Sequence, residues 1–191
     1  MAQTAAPTTT RPSARDRLLQ AADDLFYEEG IHSVGIDRII ERADVAKATL
    51  YSTFGSKDEL VRAYLGGRQV AWRERMVAGL ERFDNPRDRL LGVFDVLGES
   101  TARPGYRGCA FVNASAEAQP GGVVEQASDI ARAGRREFFR QLAVDAGVPD
   151  PDYVAGVIVL LFDGAAVGGR MDRDPGAAKA ARAIAEGLIP A

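Results

Sequence analysis

Lys47, Thr49, Tyr51 and Thr53 lie close together, interleaved with the small residues Ala48 and Ser52. On a helix, an ammonium and three hydroxyls spaced this way can donate to phosphate oxygens or to base edges. Small neighbours would let the backbone come close to a groove. Leu50 and Phe54, four apart, give the same helix an apolar side to anchor it. The chain has three lysines, and two of them, Lys47 and Lys57, bracket this one segment. Other chemistries find little support. His32 is the only histidine and Cys109 the only cysteine, so no histidine-based metal or catalytic cluster and no internal disulfide can form. No nucleophile–base pair, phosphate loop or metal-ligand spacing is present, so no enzyme, metal or cofactor is expected. Acidic neighbours such as Asp23-Asp24 and Glu28-Glu29 read as solvated helix faces.

Charge argues the other way. The net charge is −3, and residues 1–63 carry eight Lys and Arg against ten Asp and Glu, a deficit of two. A nucleic-acid binder usually shows a basic stripe. A local patch can still hold phosphates on an acidic protein, with weaker long-range steering.

Helical spacing dominates the elements that must position this segment, and strand alternation is lacking. Residues 1–14 are small, polar and proline-containing, without an apolar signal region, and read as a disordered arm of a cytoplasmic protein. Leu18, Ala22, Leu25 and Phe26 predict a helix over about 13–29, ended by Gly30. Ile36, Ile39, Ile40 and Ala43 predict a second, short helix with Gly35 as its N-cap. Asp44-Val45-Ala46 is a tight turn into a third helix, 47–54. Ser56 caps a long fourth helix to about 83, with Glu59 at the capping-box position. Further helices are expected at about 87–102, 108–118, 122–146, 151–170 and 175–188, punctuated by proline–glycine segments. The longest apolar stretch, Tyr153–Met171, contains Asp163, Arg170 and four glycines, so it reads as a buried helix rather than a membrane span. The expected fold is all-α with about nine helices. A three-helix head (15–56) is followed by a helical body (57–191).

Two short helices joined by a three-residue turn fit a helix-turn-helix, and periodicity alone fits a plain helical hairpin equally well. The quoted residues separate the two. LF-x-x-x-G at 25–30, V-x-K-x-T-L-Y at 45–51 and F-x-S-K-x-x-L at 54–60 make the first third of the chain resemble the head of TetR-family regulators without a gap. That resemblance implies a DNA-binding head whose contacts are Arg38, Lys47, Ala48, Thr49, Tyr51, Ser52, Thr53 and Lys57. Lys57 would meet a phosphate at the start of the fourth helix. Two positions depart from the pattern: Asp44 stands where the family has glycine, and Val34-Gly35 where it has Thr or Ser.

Beyond about residue 80 the resemblance is one of pattern. It implies a ligand-binding and dimerisation domain, and hence a repressor that leaves a palindromic operator on double-stranded DNA when a small-molecule effector binds. Half-sites would lie one DNA turn apart, about 34–36 Å or slightly more. The homodimer interface would draw on Val154, Val157, Ile158, Leu161, Gly164, Ala165, Gly168, Ala180, Ile184 and Leu188, residues that would equally serve as the body's own core. Pocket walls would come from Trp72, Met76, Phe94, Tyr106, Phe111, Phe138 and Phe162, or these too would be core. Asn113 and Glu117 share a helix face, either inside the pocket or in solvent. Cys109, beside Arg107 at a helix start, is either a redox-sensing thiol or a small buried residue. The alternative function is an all-helical small-molecule carrier or enzyme without DNA-binding activity, which would have no use for Lys47, Tyr51 and Lys57.

Overall fold

The computed structural model describes residues 11–174 and 176–189 of the chain. Among them are α1 (Ala14–Glu29), α2 (Ile36–Ala43), α3 (Lys47–Phe54), α4 (Lys57–Leu80), α5 (Pro86–Thr101), α6 (Ala110–Ser115), α7 (Val123–Asp145), α8 (Pro151–Met171) and α9 (Ala177–Glu186). No strand occurs among the described residues. The arm expected over 1–14 lies outside them up to residue 10. Its last part is ordered, because the Ser13 hydroxyl accepts from the Asp16 amide and caps α1.

Local chemistry explains most of the boundaries. Asn85 and Asp150 cap α5 and α8 through side-chain oxygens, and each helix then begins with a proline whose missing N–H costs nothing at that position. Gly30 ends α1 with φ +92°, a conformation open to residues without Cβ. The helix expected at 108–118 shrinks to six residues. Beyond Ser115 the chain turns, with Glu117 N–H donating to Ala114 and Ala118 N–H to Ser115.

The chain divides into two compact units, Met1–Leu60 and Val61–Ala191. In the first, α1 packs on α2 and α3 around Leu18, Ala22, Leu25, Phe26, Val34, Ile39 and Leu50, all buried. In the second, α5, α7, α8 and α9 enclose one core that includes Leu90, Phe94, Phe139, Ile158 and Phe162.

Within the second unit, the end of α4 is pressed against α5. A Cβ on Gly79 would lie 2.5 Å from Cγ2 of Val96, a β-branched side chain buried in the core and stiff at χ1. Gly66, on the same helix, has nothing within 4 Å of that position. Alanine at the two sites should therefore act in opposite directions. Gly66→Ala should raise unfolding stability by about 0.5–1 kcal/mol through helix propensity. Gly79→Ala should lower it by about 1 kcal/mol, the overpacking outweighing the same propensity gain. Urea denaturation of both variants checks this.

Candidate functional site

The turn between α2 and α3 sets the geometry of the head. Asp44 adopts the left-handed conformation (φ 51°, ψ 60°), with its N–H on the carbonyl of Glu41, and Val45 N–H on that of Ile40. Aspartate tolerates this region better than most residues. Its carboxylate is bound by Arg11 and Arg17, and the Arg17 guanidinium also donates to the Asp44 carbonyl at 2.9 Å. α3 then presents Leu50 inward, fully buried, and leaves Lys47, Ala48, Tyr51 and Ser52 exposed. Thr49 and Thr53 are half-buried. The Ser52 and Thr53 hydroxyls both donate to the Thr49 carbonyl, at 3.1 and 2.6 Å. Each hydroxyl keeps lone pairs for an incoming donor.

Several cations of the head are already paired with carboxylates. Lys47 Nζ lies 2.9 Å from Asp37, Arg38 grips Glu29 through two bonds of 2.6 and 2.9 Å, and Arg42 meets Asp24 at 3.1 Å. The hydrogen bond from Asp37, and then its charge, raise the Lys47 pKa above the ordinary lysine value, and Glu29 does the same for Arg38. Both stay cationic throughout the neutral range. Such exposed pairs are worth about 0–1 kcal/mol, so phosphate can displace the carboxylate at small cost. Lys57 differs from these. Its ammonium donates to the Ile31 carbonyl at 2.7 Å and sits 5.8 Å from the centre of the Phe26 ring, which ties the start of α4 to the loop after α1.

In the second unit the candidate pocket residues divide. Trp72, Phe138 and Phe162 come together edge to face, with ring centres 5.6 and 6.3 Å from Trp72. Phe139 joins them at 6.0 Å. Met76, Phe94 and Phe111 are buried, the first two within the main core. The Tyr106 hydroxyl donates to the Ala166 carbonyl. Asn113 and Glu117 do not share a helix face, because α6 stops at Ser115. Asn113 is exposed, and its amide donates back to the Arg107 carbonyl.

Two residues that sequence reasoning missed stand out here, Phe139 and Arg135. Arg135 is only 6% exposed. Its guanidinium pairs with Asp163 at 2.6 Å and lies 3.8 Å from the Cys109 sulfur. It also stacks 5.0 Å from the Trp72 ring centre and 5.6 Å from that of Phe162. The signal was in the period. Val124, Ser128, Ala131, Arg135, Phe139 and Ala143 form the buried stripe of α7, and an arginine on such a stripe is rarely solvated.

The residues proposed for self-association also divide. Val154, Ile158 and Ala165 point into the body's own core, one of the two roles the sequence left open to them. The outward face of α8 instead carries Tyr153, Leu160, Val167 and Met171, with Leu160 73% and Met171 75% exposed. Gly164 is exposed beside them, as are Ala180, Ile184 and Leu188 of the C-terminal segment. Val157, Leu161 and Gly168 are half-buried. This explains why α8 has a mean hydropathy of 1.6, enough by length and composition for a membrane span. It is apolar on two faces, of which one fills the core.

A short helix pair with a left-handed turn, and a second helix anchored by one leucine with polar residues outward, define a helix-turn-helix DNA-binding protein. Comparison with known proteins is more specific. The family model for bacterial regulatory proteins of the tetR family matches residues 18–64. The crystal structure of a TetR-family transcriptional regulator from Streptomyces coelicolor superposes with a TM-score of 0.84 at 35% identity, covering 92% of this chain and 94% of that one. The regulator YjdC of Escherichia coli is 24% identical over 179 residues, 92% of this chain and 93% of its own length. The reduced form of E. coli NemR shares the fold, with a TM-score of 0.83 at 24% identity over 93% of this chain and 97% of that one. The activator FasR of Mycolicibacterium smegmatis is 46% identical over 55 residues, 29% of this chain and 25% of its own length. The chain belongs to the TetR family of DNA-binding transcriptional regulators.

The Lys57 contacts give a test of the head itself. Lys57→Met keeps the stem but removes the charged donor to Ile31 and the cation over Phe26. It should destabilise the protein by about 1–2 kcal/mol, read as a lower unfolding midpoint.

Proposed function

We propose that the protein is a homodimeric cytoplasmic repressor that binds a palindromic operator and leaves it when a small molecule occupies the second unit. The observation that carries this reading is the exposed face of α3, where Lys47, Ala48, Tyr51 and Ser52 stand free of the core that holds Leu50. In this reading Lys47 and Lys57 meet phosphates, with Arg38 assisting from α2. Tyr51, Thr49 and Thr53 reach phosphates or base edges, and Ala48 and Ser52 permit close approach.

The apolar stripe of α8 supports the dimer. Monomeric proteins rarely leave a contiguous row such as Tyr153, Leu160, Val167 and Met171 uncovered, and Ile184 and Leu188 add to it. A second copy presenting the same stripe would cover it about a twofold axis and pair two recognition helices for a palindrome. The aromatic cluster of Trp72, Phe138 and Phe162 supports an apolar ligand. α4 begins in the first unit and ends in the second, so a tilt of this helix is the natural way for ligand and DNA to compete. The coupling is reciprocal, and DNA must weaken ligand binding by the factor that ligand weakens DNA binding. Among the relatives NemR is named a repressor and FasR an activator, so the direction of control is read from transcription at the bound promoter, after DNA binding itself is tested.

The binding test is a fluorescence-anisotropy titration of DNA flanking the protein's own gene, with excess non-specific competitor. Binding should survive the competitor, and Lys47→Ala should weaken it and reduce the log–log salt slope by about 1. Asp37→Asn, which frees Lys47 and removes an anion beside it, should strengthen binding a few-fold. Binding abolished by the competitor would favour a helical carrier instead. Leu160→Arg, placed on the α8 stripe, should yield monomers in sedimentation and lose most operator affinity. A dimer that persists would remove the stripe from the interface.

A further inference from the structure

Arg135 is the most unusual side chain in the second unit, because it is buried and its hydrogen-bonding capacity is incompletely used. One terminal nitrogen takes Asp163 and the other faces the Cys109 sulfur, but Nε is buried without an acceptor. The Trp72 indole N–H, on the ring against which this guanidinium stacks, is also buried without an acceptor. Two N–H donors so close together, both cut off from solvent, incur the full desolvation penalty unless an acceptor reaches them.

Three charged side chains meet beside these donors. Asp163 is the carboxylate for two guanidiniums, with Arg135 on one oxygen and Arg132 on the other at 3.1 Å. Arg132 is half exposed to solvent, so the buried pair is Arg135 with Asp163, set against the rings of Trp72 and Phe162. Gln69, one turn before Trp72 on α4, holds a buried Oε1 without a donor, an acceptor suited to a hydroxyl on the same ligand.

We infer that this cluster is an anion subsite, and that the effector is a small apolar or aromatic carboxylate. Its acid oxygens accept from Arg135 Nε–H and Trp72 Nε1–H, while its ring lies against Phe162 and Trp72. This deepens the ligand-responsive reading and rests on it, because it names the chemistry the second unit recognises.

Trp72 is the only tryptophan in the chain, so its emission reports on the site directly in the intact protein. Benzoate should change that emission saturably, and benzamide, its neutral isostere, should bind at least about tenfold more weakly. In calorimetry, Trp72→Phe keeps the ring but loses the donor and should weaken benzoate about three- to tenfold. Arg135→Lys should weaken it further, and a circular-dichroism melt shows whether each variant is folded. If Arg135→Lys does not fold, Trp72→Phe carries the test. Equal affinity for benzamide, unchanged affinity in Trp72→Phe, or no response of Trp72 to benzoate would each overturn the anion subsite. Anisotropy of the operator complex separates the two readings. Benzoate that binds at Trp72 without releasing DNA supports the subsite and defeats ligand-responsive release. A neutral compound that releases DNA while benzoate does not bind leaves release standing and removes the anion.

Discussion

An eight-residue helix cannot maintain itself in water, and the recognition segment is that short. α3 has no side-chain cap at Ala46, and Thr49, Tyr51, Thr53 and Phe54 are middling helix formers. Its order comes from outside, through the insertion of Leu50 into the core built by Leu18, Leu25 and Ile39. The turn at Asp44 delivers the chain to that point at the right angle. Every polar group on the outer face of α3 is therefore positioned by one buried leucine and one left-handed residue. The arginines on Asp44 reinforce the second of these.

The net negative charge of the head, which argues against DNA binding as a sum, has a local explanation. Asp37, Glu29, Asp24 and Asp44 each hold one or two of the cations on this unit. These carboxylates occupy places that phosphates could take, so the acidic residues set how strongly the surface attracts DNA without removing its donors. A charge total misses this because it records neither pairing nor position.

Much of the fold was legible in the sequence, for reasons visible in particular residues. Ser56 caps α4 by accepting from the Glu59 amide, Gly30 stops α1, and the spacing of Leu18, Ala22 and Leu25 names the buried side of α1. The exposed polar face of α3 was legible because polar residues and an apolar anchor, Leu50, alternate within one short helix. The second unit was harder. α8 is apolar on both sides, so composition could not tell Ile158, which fills the core, from Leu160, which faces outward. The early end of α6 was not legible because the turn after Ser115 has no proline or glycine until Pro120 to announce it. Arg135 escaped notice because an arginine is ordinarily counted as surface, and only its partners on α6, α8 and α4 show otherwise.

The close approach of Gly79 to Val96 has a mechanical consequence. It clamps one end of α4, a helix of 24 residues and hence about 36 Å long. A rigid rod gripped at one end is a lever, and a rotation of about 5° at the grip carries the free end through about 3 Å. The reach of such a lever is set by helix length alone, so shortening α4 by a turn would shorten the travel of its far end without touching the contact at Gly79.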